Sequence, residues 1–494
     1  MPRTTLALTS FVSGEFSPKM DGRTDFDKYS SGAKTLENFL IHPQGAATRR
    51  VGTQFIAEVK SSAAKTRLIP FEFSTTQTYI LEFGNTYIRF FKDKGQILDS
   101  GSAYEISSPY LTAELFDIKF AQSADVMYLT HPNHEVMKLS RTGHTSWTLA
   151  QVDFTDGPYL AENTTTTTLT PASAGTGTGV NITASAITGI NGGAGFQTTD
   201  VGRIISFNSG KAKITARTNT TVVVCTITTA FANTNAIADW KLGAFSDTTG
   251  HPSCVSFFEQ RLVFAGTTDE PQTLYFSKAG DYENMTTGTN ADDAMVYTIA
   301  SNQVNAIRYM KAVRTLVVGT TGGEFTVSAD GTDASITPTN ITIKRQSSFG
   351  SANVDAIPAG NAILFLQKAK RKIRELQYNF DSDGYQAPDL TILNETVTNS
   401  GITEMSYQQE PNSNIWCVRD DGVLACLTYQ RAENVVAWSR HIFGGVFGSG
   451  NAVCESIASI SGTLTEDEVW VIIKRTINGA TKRYVECFSD FDFD

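Results

Sequence analysis

His251–Asp281 reads HPSCVSFFEQRLVFAGTTDEPQTLYFSKAGD. Residues 255–258 form a short apolar run, Glu259-Gln260 a polar turn, and 262–265 a second run closed by Gly266. Beyond the turn 267–271, residues 273–276 roughly alternate polar and apolar side chains. Short apolar runs bounded by Gly, Pro and Asp predict consecutive strands of an antiparallel meander. The same grammar recurs. Counterparts of 262–265 stand at 79–83 (YILEF), 126–129 (VMYL), 316–319 (LVVG), 362–366 (AILFL), 415–418 (IWCV) and 469–473 (VWVII). Each is followed, after a turn, by a partner run, at 87–91, 136–139, 325–327, 373–378, 423–429 and 483–488.

With one exception these runs are spaced by roughly 47 to 54 residues, and periods of that size with several strands each predict a β-propeller of about seven blades. The exception is the step from Met127 to Leu262, longer by about two periods. Within it, 158–242 changes composition: NTTTTTL (163–169), AGTGTGV (174–180) and GINGGAG (189–195). Strand-like runs at 203–207, 211–217 and 221–228, with Asn208-Ser209-Gly210 as a hairpin turn, predict a small inserted β domain. The alternative is a pair of degenerate blades.

Ahead of the first unit, Phe26, Tyr29, Ala33, Leu36 and Leu40 fall on one helical face, with Asp25 as N-cap and Pro43 beyond the end. Gly32 in the middle weakens that helix by about 1 kcal/mol. The expected fold is therefore all-β: a propeller with an inserted small β domain and an N-terminal helical segment. The expected organisation is 1–60 helical or extended, 61–157 blades one and two, 158–245 the insert, and 246–494 blades three to seven.

Of 494 residues, 40% are hydrophobic and only 18% charged, and 39 are Gly, which suits a turn-rich β protein. No stretch approaches the ~20 apolar residues of a membrane span, and MPRTTLALTSFV is too polar for a signal peptide. Synthesis in the cytosol is expected. Six scattered cysteines without metal spacing read as reduced core thiols. A net charge of −10 argues against general DNA binding, since affinity there comes from phosphate neutralisation. It suits a surface past which DNA slides.

Catalytic signatures are missing: no GxSxG, HExxH or P-loop. His131-Pro-Asn-His134 spaces two imidazoles as a metal site would, but with no carboxylate pair nearby it reads as a solvated turn. Asp381-Ser-Asp383-Gly384 opens like a calcium loop without the closing Glu, and reads as a turn. A glycosidase needs two facing carboxylates; acidic residues such as Asp292-Asp293 and 466–468 are plentiful, with no sign that any two converge. No catalytic, cofactor-binding or metal-binding residues are assigned. The one dense basic cluster is Lys368, Lys370, Arg371, Lys372 and Arg374, which reads either as a DNA-channel or partner contact or as a charged hairpin tip. Arg49-Arg50 is the second basic spot, with an ordinary surface pair as its plain reading.

The string 11–59, FVSGEFSPKMDGRTDFDKYSSGAKTLENFLIHPQGAATRRVGTQFIAEV, resembles the opening of tail nozzle proteins of short-tailed bacteriophages, also called tail hub, tail tubular protein B or packaged-DNA stabilisation proteins. The matching elements are GE-SP (14–18), GR-D--KY (22–29), L-NF (36–39) and PQG---RR-GT-F (43–55). DGPYL (156–160), QRLVFAG (260–266), ASNQVNAIR (300–308), RKIREL (371–376), DGY-APDLT (383–391) and YQQEP (407–411) extend the likeness over almost the whole chain. Ala46 and Val51 depart from the usual Gly and Pro, which affects only the loop's shape. The resemblance implies a structural virion protein: a homohexameric propeller ring below the portal and adaptor rings, assembled in the host cytoplasm. That ring retains packaged double-stranded DNA, docks tail fibres or tailspikes, and opens for ejection. It places Arg23, Asp25, Tyr29, Asn38, Gln44, Arg49 and Arg50 at assembly or partner interfaces. A propeller that binds or degrades glycans is the alternative.

Overall fold

The computed structural model describes residues 8–301, 303–331, 334–462 and 466–491; Asn302 of ASNQVNAIR and the first seven residues lie outside them. Among the described residues seven antiparallel sheets of four or five strands follow one another, spanning 67–107, 119–151, 254–298, 307–347, 357–386, 402–441 and 443–488. In the second to sixth, sequence neighbours are hydrogen-bonded neighbours throughout, as in a meander; in the first, Glu105–Ser107 pairs back onto Tyr87–Lys92. Within 251–281, Cys254–Phe258, Arg261–Ala265 and Thr273–Phe276 are the first three strands of one sheet. Its first turn takes positive φ at Glu259 (45°) and Gln260 (60°), the two-residue geometry that matches strand twist.

The marker runs are continuous rather than alternating because both faces of each sheet are covered. In Glu468–Ile477, Val469, Val471 and Ile473 pack on Trp416, Val418 and Leu424 of the preceding sheet. Trp470 and Ile472 face the other way, onto Leu68, Ile80 and Phe91 of the first sheet. The same division holds in Ala362–Leu366: Ile363 and Phe365 meet Tyr309 and Val317, while Leu364 and Leu366 meet Ile415 and Cys417. Further clusters fill the remaining seams between successive sheets. Sheets one to seven therefore pack in a closed circle, and the fold is a β-propeller. The six cysteines are buried and unpaired. Among the described residues no helix is long and apolar enough to cross a membrane.

The circle is closed by chain ends. Thr53–Glu58 joins the last sheet antiparallel to Ala480–Phe488, in the register Tyr484↔Glu58, Val485↔Ala57 and Phe488↔Thr53. Nothing in the local pattern of 53–58 points to a partner more than 400 residues away.

The expected N-terminal helix is corrected: the described residues contain no α-helix. Asp27–Ser31 makes a 3-10 turn, Gly32–Ala33 pairs parallel with Gly14–Glu15, and Phe39–Ile41 pairs with Ala47–Arg49. Tertiary bonds override the periodicity. Gly32 lies under the Phe16 ring, where a Cβ would sit 2.2 Å away. Asn38 takes φ 61° and accepts from Ile442 N at 2.9 Å, and Glu15 Oε2 accepts from Leu36 N at 2.8 Å. Leu36 and Ile41 are buried against Val435 and Ala437, while Tyr29 stays half-exposed.

Between the second and third sheets, Leu169–Leu242 forms a single six-stranded sheet, not two four-stranded ones. Ile204–Phe207, Gly210–Arg217 and Val222–Thr229 match the expected strands, with Asn208 (φ 48°) and Ser209 (60°) turning the hairpin. Ile182, Ile205, Ile214, Val223 and Trp240 give it a core of its own.

Gly14 tests how the N-terminal segment is held. It has φ 70°, and an added Cβ would lie 2.2 Å from the Trp438 backbone nitrogen. Gly14→Ala is expected to cost roughly 1–3 kcal/mol and to open residues 18–35 to protease. Gly22→Ala, at φ 78° with open space around it, is expected to cost about 1 kcal/mol and leave the cleavage pattern unchanged. Urea unfolding and limited proteolysis check both.

Candidate functional site

The first strands of the sheets surround an open axial cavity of about 430 Å³, into which Arg67, Lys119, Lys311, Asp355 and Glu404 project. Each comes from a different sheet or its entry. Arg67 Nε donates to Glu404 Oε1 at 2.9 Å, and its Nη1 donates to the Leu115 and Ile118 carbonyls at 2.8 and 2.7 Å. Glu404 Oε2 accepts from Ser456 Oγ (2.7 Å) and Ile457 N (2.9 Å). Both partners of the pair have side chains 8% exposed. Beside them Lys119 and Lys311 flank Asp355 at 3.2 and 3.7 Å. Burial pushes the Asp355 carboxyl up, but the two lysines and Arg67 outweigh it and hold the pKa down at about 2.

The chemistry of this arrangement is cohesion. A carboxylate held so firmly ionised is a poor general acid, and Asp355 and Glu404 each face cations. None of the five was singled out in the sequence. The available signal was a charge at the start of an apolar run, as in Arg67 before LIPF and Lys119 before FA.

The N-terminal residues divide between two roles. Asn38 and Arg50 face inward. Arg50 lies over the Phe443 and Phe488 rings (4.8 and 5.1 Å) and donates to Val51 O at 2.8 Å, with burial lowering its pKa to about 10. It is no surface residue, unlike exposed Arg49. Arg23 pairs with Asp25 at 2.9 Å in the open, Tyr29 stacks on Phe16 (6.2 Å), and Gln44 is exposed. Asp156 of DGPYL accepts from Tyr159 and Thr286 and pairs with Lys211 at 2.6 Å, tying the six-stranded sheet to the third sheet.

The basic cluster is only partly free. Arg374 is spread over the Phe349 ring at 3.4 Å and donates to Ala387 O and Gln367, and Lys372 pairs with Asp389 at 2.9 Å. Lys368, Lys370 and Arg371 are exposed. The turn of Asp381–Gly384 is as read, with Asp383 at φ 44° accepting from Tyr378 Oη at 2.7 Å. The reading of His131–His134 as a solvated turn is corrected. His131 is 1% exposed, because the connection from the first sheet folds over it.

No family model matches this chain, and no curated protein matches it. Solved structures similar to it include the Cps50 (Swd1) β-propeller domain of Myceliophteria thermophila, at 8% identity and TM-score 0.40, covering 89% of this chain and 100% of that one. The Pan2 WD40 domain of Neurospora crassa is 8% identical at TM-score 0.33, covering 76% of this chain and 89% of its own. The RRP9 WD40 repeats are 6% identical at TM-score 0.39, covering 89% and 99%.

Breaking the axial pair leaves a buried charge alone. Glu404→Ala is expected to destabilise the protein by roughly 3–5 kcal/mol, and Glu404→Gln by less, measured by urea unfolding at neutral pH. For Asp355 the folded pKa lies below the ordinary 3.8, so its contribution is present above that value and lost as pH falls towards 2. Between those limits the wild type is expected to lose about 2 kcal/mol more than Asp355→Asn.

Proposed function

We propose that this chain is the subunit of a phage tail nozzle. In this reading the seven sheets are the blades of a propeller, 158–245 is an inserted domain, and six copies close into a ring at the distal end of a short tail tube. One observation carries the proposal. The segment with the densest likeness to nozzle proteins, 11–55, lies ordered on the last two sheets with one side anchored and the other displayed. Glu15, Asn38 and Arg50 hold it down. Arg23, Asp25, Gln44 and Arg49 point outward.

A ring of identical subunits needs one surface to complement a different surface of its neighbour. A rigid, polar, outward-facing segment meets that requirement without cost to the core. Lys368, Lys370 and Arg371 are the exposed cations available for an acidic neighbour or for passing DNA. The overall charge of −10 keeps DNA from adhering along the rest of the wall. The axial ion pairs supply stiffness under load.

Negative-stain imaging of purified full-length protein, alone and with adaptor rings, tests the reading. Six-fold annuli are expected. Arg49→Glu combined with Gln44→Glu is expected to leave the circular dichroism spectrum unchanged and to abolish annuli. A wild-type protein that stays monomeric with its adaptor, or that releases sugar from host capsule, overturns the proposal.

A further inference from the structure

The turn His131-Pro132-Asn133-His134 bends under the connection 108–118 that leaves the first sheet. There Glu114 joins the two histidines, and one donor atom from each residue lies within 4.8 Å of the others. His131 forms the buried floor; the His134 and Glu114 side chains, 22% and 19% exposed, form the open rim. Sequence spacing supplied the imidazoles, while the carboxylate arrives from a different sheet's connection.

The surroundings are over-provided with polar atoms. The Tyr110 ring packs on both imidazoles, at 6.1 and 5.2 Å, and its fully buried hydroxyl has no hydrogen-bond partner. His251, whose backbone N donates to Pro132 O at 3.1 Å, likewise holds a buried Nδ1 without a partner. Glu114 Oε2 is already oriented, accepting from Leu111 N at 2.8 Å and meeting His134 Nε2 at 2.9 Å.

We propose that Glu114, His131 and His134 bind one divalent transition-metal ion of the zinc type. Two imidazoles and a carboxylate, with no thiolate, suit zinc or ferrous iron better than the all-oxygen preference of calcium and magnesium. Three protein ligands leave a fourth position for water or for a group from a docking partner. Donor atoms of a tetrahedral ion with bonds of about 2.1 Å stand about 3.4 Å apart, so Glu114 Oε2 and His134 Nε2, 2.9 Å apart, open slightly to admit the ion, and no donor of the trio, all within 4.8 Å of one another, has far to move. A cation taking the His131 Nδ1 lone pair displaces the Asn133 N–H, which donates to it at 3.1 Å. Binding pins the connection 108–118 to the turn and locks the seam between the first two sheets. The competing account is a Glu114–His134 ion pair and nothing more.

The test uses untagged full-length protein, stripped with chelator and titrated calorimetrically with zinc chloride. Expected are one ion per chain and a Kd below about 1 µM near neutral pH. Cobalt substitution is expected to give a visible d–d spectrum. Glu114→Gln and His134→Ala alter partly exposed positions and are expected to fold, checked by circular dichroism. Each is expected to weaken binding at least about tenfold, while His42→Ala in the N-terminal segment leaves it unchanged. No stoichiometric uptake by the wild type, or undiminished affinity in both variants, overturns the proposal.

Discussion

The pairing of Thr53–Glu58 with Ala480–Phe488 holds the two ends of the circle together. Every sheet has two apolar faces, and each face is satisfied only by a neighbouring sheet. An open row of seven sheets would leave two faces wet, among them the one bearing Trp470 and Ile472. Joining ends more than 400 residues apart costs on the order of 5 kcal/mol in chain entropy. The buried contacts of Ala57, Val59, Leu68 and Val485 along that seam offset it, together with the ladder hydrogen bonds of the shared sheet.

The axis follows a different logic. Near the centre the first strands converge, and charged side chains meet where a larger propeller would keep water. Arg67, Glu404, Lys119, Lys311 and Asp355 are paired across sheets, not within them. Such buried pairs add little net stability compared with apolar packing, but they penalise any arrangement that separates the partners. Seams that are apolar at mid-radius and ionic at the axis yield a wall element with little freedom to shear. That mechanical property is what the proposed conduit role demands.

The outer attachments are where the proposed partner contacts and the proposed metal ion would sit. The N-terminal segment is bonded to the last two sheets through Glu15, Asn38 and Arg50, so its exposed side chains are presented from a fixed backbone. The turn carrying His131 and His134 is likewise fixed, by the connection that brings Glu114 and Tyr110 over it. In both places a sequence-distant backbone element completes what a local motif begins.

The repeat was legible because strand periodicity and turn residues are local. Runs such as LVFA and VWVII, and the turns beside them, declared an all-β, meandering chain without coordinates. The strands at 204–207, 210–217 and 222–229 were legible through their apolar runs and the Asn208-Ser209-Gly210 turn. The helix read over 26–40 was not there, because Gly32 and Asn38 answer to Phe16 and Ile442, residues that helical periodicity cannot weigh. Thr53–Glu58, read only as part of a helical or extended segment over 1–60, is a strand of the last sheet. Arg67 with Glu404, and Glu114 with its histidines, are meetings across about 340 and 20 residues. By itself the sequence determined the strands, since those depend on neighbours along the chain. Ring closure, axial charge pairing and the Glu114–His131–His134 cluster were decided only in the tertiary structure, because each depends on which distant backbone arrives alongside.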